Sequence, residues 1–214
     1  FAGARFMVED GLVDRFGIEE FYALHTEPSL DVGTVGFIEG YATANADIFE
    51  ITFTGKGGHG SRPQMAHDPV VAAAEAVGAL QSIVSRNVSP ELSAVVSVCS
   101  LQAGDTNGTS VIPQKALVRG TARSFEPEVR DLIERRIATI AEGIAIAHEM
   151  QATPVYTRLY PAMYNTPERV QEARSLAVQC LGEDCVKPLK RSHGGEDFSF
   201  MLLQRPGCLF RLGN

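Results

Sequence analysis

Between Asp47 and Tyr160 the apolar positions change period in a regular order. Ile48-Phe49-Glu50-Ile51-Thr52-Phe53-Thr54 is β-branched and aromatic with partial alternation, and it stops at Gly55 and the Gly57-Gly58 pair, which predicts a strand. A loop carrying His59 and Pro63 follows. Asp68 ahead of Pro69 has the form of an N-cap before a first-turn proline, and the Ala- and Val-rich run behind it predicts a helix to about Val84. Residues 93–101 and 116–124 read as two further strands, joined by the polar, glycine-containing segment 104–110 and expected to pair as a long hairpin. Glu126-Pro127 opens a second helix to about Met150, with Val129, Leu132, Ile133, Ile137, Ile140, Ile144 and Ala147 recurring on one face. Residues 153–159 close the series with a fourth strand.

Strand, helix, strand, strand, helix, strand is the split-βαβ order of a ferredoxin-like domain, in which both helices cover one face of an antiparallel sheet. Outside it, residues 1–44 predict a helix (Ala4, Phe6, Met7, Leu12, Val13), a strand over 21–25 and a short strand over 34–38. Residues 166–214 predict a helix, a Gly-Gly turn opening another, and a final strand over 208–212. The expected organisation is therefore an α/β domain in two parts, 1–45 and 161–214, interrupted by a ferredoxin-like (βαββαβ) insert over 46–160. Because the chain opens at Phe1 inside an apparent amphipathic helix and without an initiator Met, it is expected to be a piece of something longer.

Composition narrows the partners. At 214 residues and 44% hydrophobic, the chain supports sizeable cores. A formal charge of −7 leaves no basic face to neutralise phosphates, so nucleic-acid and anionic-membrane partners are disfavoured and small molecules or proteins are expected instead. No apolar run approaches the roughly 20 residues needed to span a bilayer, and no basic-then-apolar leader opens the chain, which makes the cytoplasm the expected compartment. Cys99, Cys180, Cys185 and Cys208 show no C-x2-C pair or nearby His at zinc-finger spacing and read as reduced core residues.

Five histidines are the first candidates for chemistry. His25 ends a predicted strand, where an open α/β sheet places its ligands, and is a plausible metal ligand against the ordinary reading of a surface imidazole. His59 lies in G-K-G-G-H-G-S-R-P, where glycines permit a turn that holds the ring outward; the plain alternative is a solvated loop histidine. His67 adjoins the Asp68 cap and His148 falls on a late helical turn favoured by the dipole; neither is assigned a function. His193 precedes Gly194-Gly195-Glu196-Asp197-Phe198, whose carboxylates read equally well as simple helix caps. No nucleophile elbow or phosphate-cradling glycine loop is present, so the residues alone reach an α/β protein with exposed histidines and no further.

Several segments together resemble the M20 metallopeptidases, in the amidohydrolase branch of hippurate hydrolases, N-acyl-amino-acid amidohydrolases and auxin-conjugate hydrolases. They are G-A-R-F-M-V-E-D-G-L, L-H-T-E-P, T-G-K-G-G-H-G-S-R-P, H-D-P-V-V-A-A-A, V-I-P followed by R-G-T-A-R-S-F, Y-P-A-M-Y-N and G-G-E-D-F-S-F-M-L, in an order that covers essentially the whole chain. The resemblance implies one or two divalent ions, zinc or manganese, in a zinc-peptidase-like α/β domain, and an inserted lid that often dimerises, so a homodimer through the lid is expected. It implies His25 as a metal ligand, with the remaining ligands (H-x-C-G-H-D, an E-E pair and a late His) falling outside this chain; one imidazole cannot hold zinc usefully, so the chain alone is expected to be inactive. It implies His59 as the lid histidine that holds the substrate carbonyl or developing oxyanion, and Arg123 as a contact for the substrate carboxylate, against a strand arginine that simply faces solvent. Where the family reads N-V-I-P this chain has Ser110-Val111-Ile112-Pro113, which leaves Asn107 as a replacement for the usual asparagine. The implied activity is hydrolysis of the amide of N-acyl amino acids or small peptides by a metal-activated water. The competing reading is a non-catalytic dimerisation or binding module derived from that family, and an open sheet edge predicts pairing with a second copy under both.

Overall fold

The computed structural model describes residues 3–214 and separates the chain into two units, Phe1–Ala46 with Leu159–Asn214 (unit 1) and Asp47–Arg158 (unit 2). The expected opening helix is two, α1 (Gly3–Glu9) and α2 (Leu12–Phe16), because Gly11 takes φ 84°, a left-handed conformation that glycine reaches without steric cost. Then come β1 (Phe21–Glu27), β2 (Val35–Phe37), β3 (Gly40–Thr43), β4 (Ala46–Thr54), β5 (Gly58–His59) and α3 (Pro69–Ser82). They are followed by β6 (Ala94–Ala103), β7 (Val111–Ile112), β8 (Lys115–Ser124), α4 (Pro127–Ala147) and β9 (Gln151–Tyr160). The last elements are β10 (Met163–Asn165), α5 (Pro167–Leu181), β11 (Val186–Pro188), α6 (Ser199–Leu202) and β12 (Gly207–Gly213).

Unit 2 is built on a sheet in the order β6-β8-β4-β9, with β8 antiparallel to both β6 and β4. Alternation sorts its faces. Phe49, Ile51 and Phe53 of β4 and Ala116, Val118 and Ala122 of β8 are buried in one cluster with Ala72, Ala76 and Leu80 of α3 and Ile133 and Ile137 of α4. Burying a phenylalanine side chain stabilises by about 1.5–3 kcal/mol, so this face dominates the unit's stability. The expected cap is present: the Asp68 carboxylate accepts the Val70 N–H at 2.8 Å and starts α3, which runs on through a π-helical turn, Ile83–Asn87. At the start of β4 the fully buried Asp47 carboxylate accepts two hydrogen bonds from Arg130 (2.6 and 2.8 Å) and one from the Tyr156 hydroxyl (2.8 Å). Burial and the adjacent carboxylate push the Tyr156 phenol far above its usual range, so it stays a donor.

Unit 1 carries a sheet in the order β1-β12-β2-β11, with β1 and β12 parallel, β12 and β2 antiparallel, and β2 and β11 parallel. Two strands that the sequence does not announce, β3 and β10, form an antiparallel ribbon. Asn165 ties that ribbon to the sheet: its amide donates to Ile38 and Leu209 carbonyls (2.9 and 3.1 Å) and accepts the Leu209 N–H (2.9 Å). The apolar centre is Val13, Phe21, Ala42, Met163, Phe198 and Leu209.

The cysteines correct the sequence reading. All four are free, but only Cys208 is buried; Cys99 and Cys180 are exposed and Cys185 is intermediate. Cys99 sits at a register irregularity between Val98 and Ser100 of β6, and Cys180 is on the outer side of α5, positions where aliphatic neighbours in sequence do not mean burial in space. No helix among the described residues is long and apolar enough to cross a membrane.

Candidate active-site residues

His25 lies near the carboxyl end of β1, in register with Arg211 on the parallel neighbour β12. A cleft of about 770 Å³ opens there, lined by His25, Glu27, Lys190, Arg191, His193 and Arg211 among others. In a chain of net charge −7 this is a local concentration of cationic groups. The single carboxylate among those six, Glu27, is held below its usual range chiefly by hydrogen bonds from the Ser29 hydroxyl (2.7 Å) and N–H (3.2 Å).

The His25 ring has its tautomer set by its partner. Nδ1 lies 2.7 Å from the Thr26 carbonyl oxygen, which can only accept, so Nδ1 carries the proton and the Nε2 lone pair is left available. A donor bond from one ring nitrogen to a backbone carbonyl is the arrangement that orients an imidazole as a metal ligand through the other.

His59 is arranged the opposite way. It occupies the two-residue strand β5, paired with Val111 of β7, so the expected loop is a short ribbon. Gly60 N–H donates to Ser110 (2.8 Å) and Arg62 N–H donates back to His59 (2.8 Å). The glycines before it permit this approach: a Cβ on Gly57 would stand 2.8 Å from the Ile112 carbonyl oxygen. The exposed His59 ring accepts at Nδ1 from the Ser61 N–H (3.2 Å), with the Ser61 hydroxyl at 2.9 Å. A nitrogen that accepts an amide proton carries none itself, so the neutral ring presents a proton at Nε2.

Arg123 is on β8 opposite Val95, on the sheet face that points away from α3 and α4, and its guanidinium makes no hydrogen bond or ion pair among the described residues. On the same face Arg119 pairs with Glu50 at 2.6 Å. Asn107 lies in an exposed turn whose N–H donates to the Asp105 carboxylate (2.9 Å). Thus His25 belongs to unit 1, and His59 and Arg123 to separate parts of unit 2.

Asp197, Glu196, His148 and His67 make local contacts. Asp197 accepts the Ala4 N–H at 3.1 Å and caps the start of α1, while Glu196 accepts the Phe198 N–H at 3.2 Å within its own turn. His148 pairs with Glu75 at 2.7 Å, and His67 lies 3.6 Å from Glu149. Sequence reasoning did not single out Ser61 or the cleft's Lys190, Arg191 and Arg211. A serine two residues beyond a glycine-flanked histidine, and paired cations just before Ser192-His193, were the available signals.

The profile of peptidase family M20/M25/M40 matches residues 2–214. The chain belongs to that family. It is 37% identical to the N-acetylcysteine deacetylase of Bacillus subtilis (strain 168), over 99% of this chain and 54% of that protein. It is 36% identical to the N-acetyldiaminopimelate deacetylase of Bacillus pumilus (strain SAFR-032), over 99% of this chain and 55% of that protein. Among solved structures it superposes on the Bacillus subtilis YXEP protein, a dinuclear metal binding peptidase from the M20 family. That match has TM-score 0.80 and 30% identity, and covers 99% of this chain and 52% of the other. A crystal structure from methicillin resistant Staphylococcus aureus matches at TM-score 0.89 and 30% identity, covering 99% and 53%. The chain thus spans about half the length of the M20 proteins it matches.

The donor set fits a family metal in part. The open Nε2 of His25 suits a zinc-type ion, but among the described residues no group of three or more His, Cys, Asp or Glu is placed to hold one.

Proposed function

We propose that this chain is part of a metal-dependent amidohydrolase that cleaves the amide bond of N-acyl amino acids or small peptides. The observation that carries the reading is the opposite setting of two imidazoles: His25 Nδ1 faces the Thr26 carbonyl at 2.7 Å, which leaves Nε2 to bind through its lone pair, and His59 Nδ1 accepts the Ser61 N–H at 3.2 Å, which leaves the proton on Nε2. The first is the state of a metal ligand, the second the state of a hydrogen-bond donor. A divalent ion, zinc or manganese, held through His25 and ligands beyond these residues, would supply water activation and carbonyl polarisation. His59 then donates from Nε2 to the amide oxygen, a bond that strengthens as negative charge builds there. Arg123, a guanidinium without a partner, takes the substrate carboxylate, where its planar fork allows a bidentate contact. Lys190, Arg191 and Arg211 give the cleft beside His25 a positive lining that suits the same anionic substrates.

Unit 1 is read as part of the catalytic α/β domain and unit 2 as a ferredoxin-like lid, a reading supported by the β9-β4-β8-β6 order of its sheet with both helices in one core. The edge strands β6 and β9 suit pairing with a second copy, so a homodimer through unit 2 is proposed. Four free thiols suit the cytoplasm. In the complete polypeptide that contains these residues, His59→Ala lowers kcat roughly a hundredfold or more with metal content unchanged. An unchanged kcat removes His59 from the mechanism.

A further inference from the structure

We propose that Ser61 is a positioning residue that fixes which nitrogen of His59 carries the proton, and thereby makes the ring a donor at Nε2; this rests on the role given to His59 above. An unrestrained neutral imidazole samples both tautomers, and only one of them offers a proton at the outer nitrogen. Ser61 brings two groups to Nδ1, and its backbone N–H is the one that discriminates. Its backbone N–H reaches Nδ1 at 3.2 Å, and its hydroxyl at 2.9 Å can turn its hydrogen to the same lone pair. A proton on Nδ1 would face the amide hydrogen head-on and lose that bond, whereas the hydroxyl, which can accept as well as donate, follows either tautomer.

The backbone holds Ser61 in place for this. On one side Gly60 N–H is bonded to the Ser110 carbonyl at 2.8 Å, and on the other Arg62 N–H closes onto the His59 carbonyl at 2.8 Å. The Gly58↔Ile112 and His59↔Val111 pairing anchors the strand that leads in. The donors therefore sit where the ring must meet them, and both come from the residue two positions on in the chain. His25, whose Nδ1 faces a carbonyl instead, shows the opposite outcome of the same kind of local control. Ser61 is exposed and lies outside the cores, so substituting it leaves folding undisturbed.

The test is two-bond ¹H–¹⁵N correlation of the histidine rings in the uniformly ¹⁵N-labelled chain, with the His59 signals assigned by their loss in His59→Gln. The wild type is expected to show His59 protonated at Nε2 with a hydrogen-bonded Nδ1. Ser61→Ala, which keeps the amide but loses the hydroxyl, is expected to keep the Nε2 proton while Nδ1 moves part-way toward a free nitrogen, and Ser61→Pro, which has no N–H, is expected to lower the ratio of the two tautomers roughly fivefold. Ser61→Thr, which keeps a hydroxyl, restores the wild-type spectrum. A wild-type or Ser61→Ala ring protonated at Nδ1, or a Ser61→Pro ring with the wild-type tautomer ratio, overturns the inference. The spectrum is independent of turnover: if His59→Ala left kcat unchanged, the donor role would fall while the Ser61 result still stood or failed on its own.

Discussion

Replacing Asp47 tests whether the return point of unit 2 is held as the structure indicates. The Asp47 side chain is fully buried and takes three hydrogen bonds, two from the Arg130 guanidinium, whose side chain is 14% exposed, and one from Tyr156. Asp47→Ala leaves a cation and a phenol without that acceptor in a desolvated site. Breaking one side of a buried ion pair costs about 3–5 kcal/mol. Removing both charges is different, because the desolvation of Arg130 disappears with its partner. Asp47→Ala with Arg130→Met is therefore expected to recover half or more of the loss, about 1.5–2.5 kcal/mol or more. Urea unfolding followed by far-UV circular dichroism measures the stabilities, and hydrogen exchange at β4 and β9 amides locates the loss in unit 2. A single-mutant cost below about 1 kcal/mol, or a double mutant no better than the single, would mean that the Asp47 pair does not hold this corner.

Other expectations follow from particular contacts. Burial pushes the Cys208 thiol up to about 11, so the folded state holds its proton more tightly than the unfolded chain. The associated stability, about 2–3 kcal/mol, is fully present below pH 9 and is lost as pH rises towards 11. Cys208→Ala removes that part of the alkaline slope in unfolding titrations, and identical slopes would contradict it. Gly57→Ala drives a methyl group to 2.8 Å from the Ile112 carbonyl oxygen, backbone against backbone. It is expected to push β5 off β7 at a cost of about 1–3 kcal/mol and, in the complete polypeptide, to lower kcat about tenfold or more while metal content holds. Retained stability and kcat would count against the ribbon as the support of His59.

The elements legible in the sequence are those with a period long enough to register. β4, β6, β8 and β9 alternate over nine or ten residues, and α3 and α4 carry their own start signals in Asp68-Pro69 and Glu126-Pro127. β3, β5, β7 and β10 are two to four residues long, too short to show a period, and β3 and β10 pair across more than a hundred residues of chain. The break at Gly11 depends on one glycine adopting a positive φ, which the surrounding helical pattern conceals. Among the candidate site residues, His25 and His59 stand out by their places at a strand end and in a glycine turn, but the difference between them does not. It rests on whether Nδ1 meets a carbonyl or an amide, a matter of backbone direction at Thr26 and Ser61.

The proposed role of His25 as the residue that ties this chain to a catalytic metal is tested most directly by His25→Ala in the complete polypeptide. Metal content and hydrolysis of a panel of N-acyl amino acids would be read on the same zinc- or manganese-loaded samples. Wild type is expected to bind metal and turn over, and His25→Ala to lose metal and activity together. A His25→Ala protein that keeps both would contradict that role.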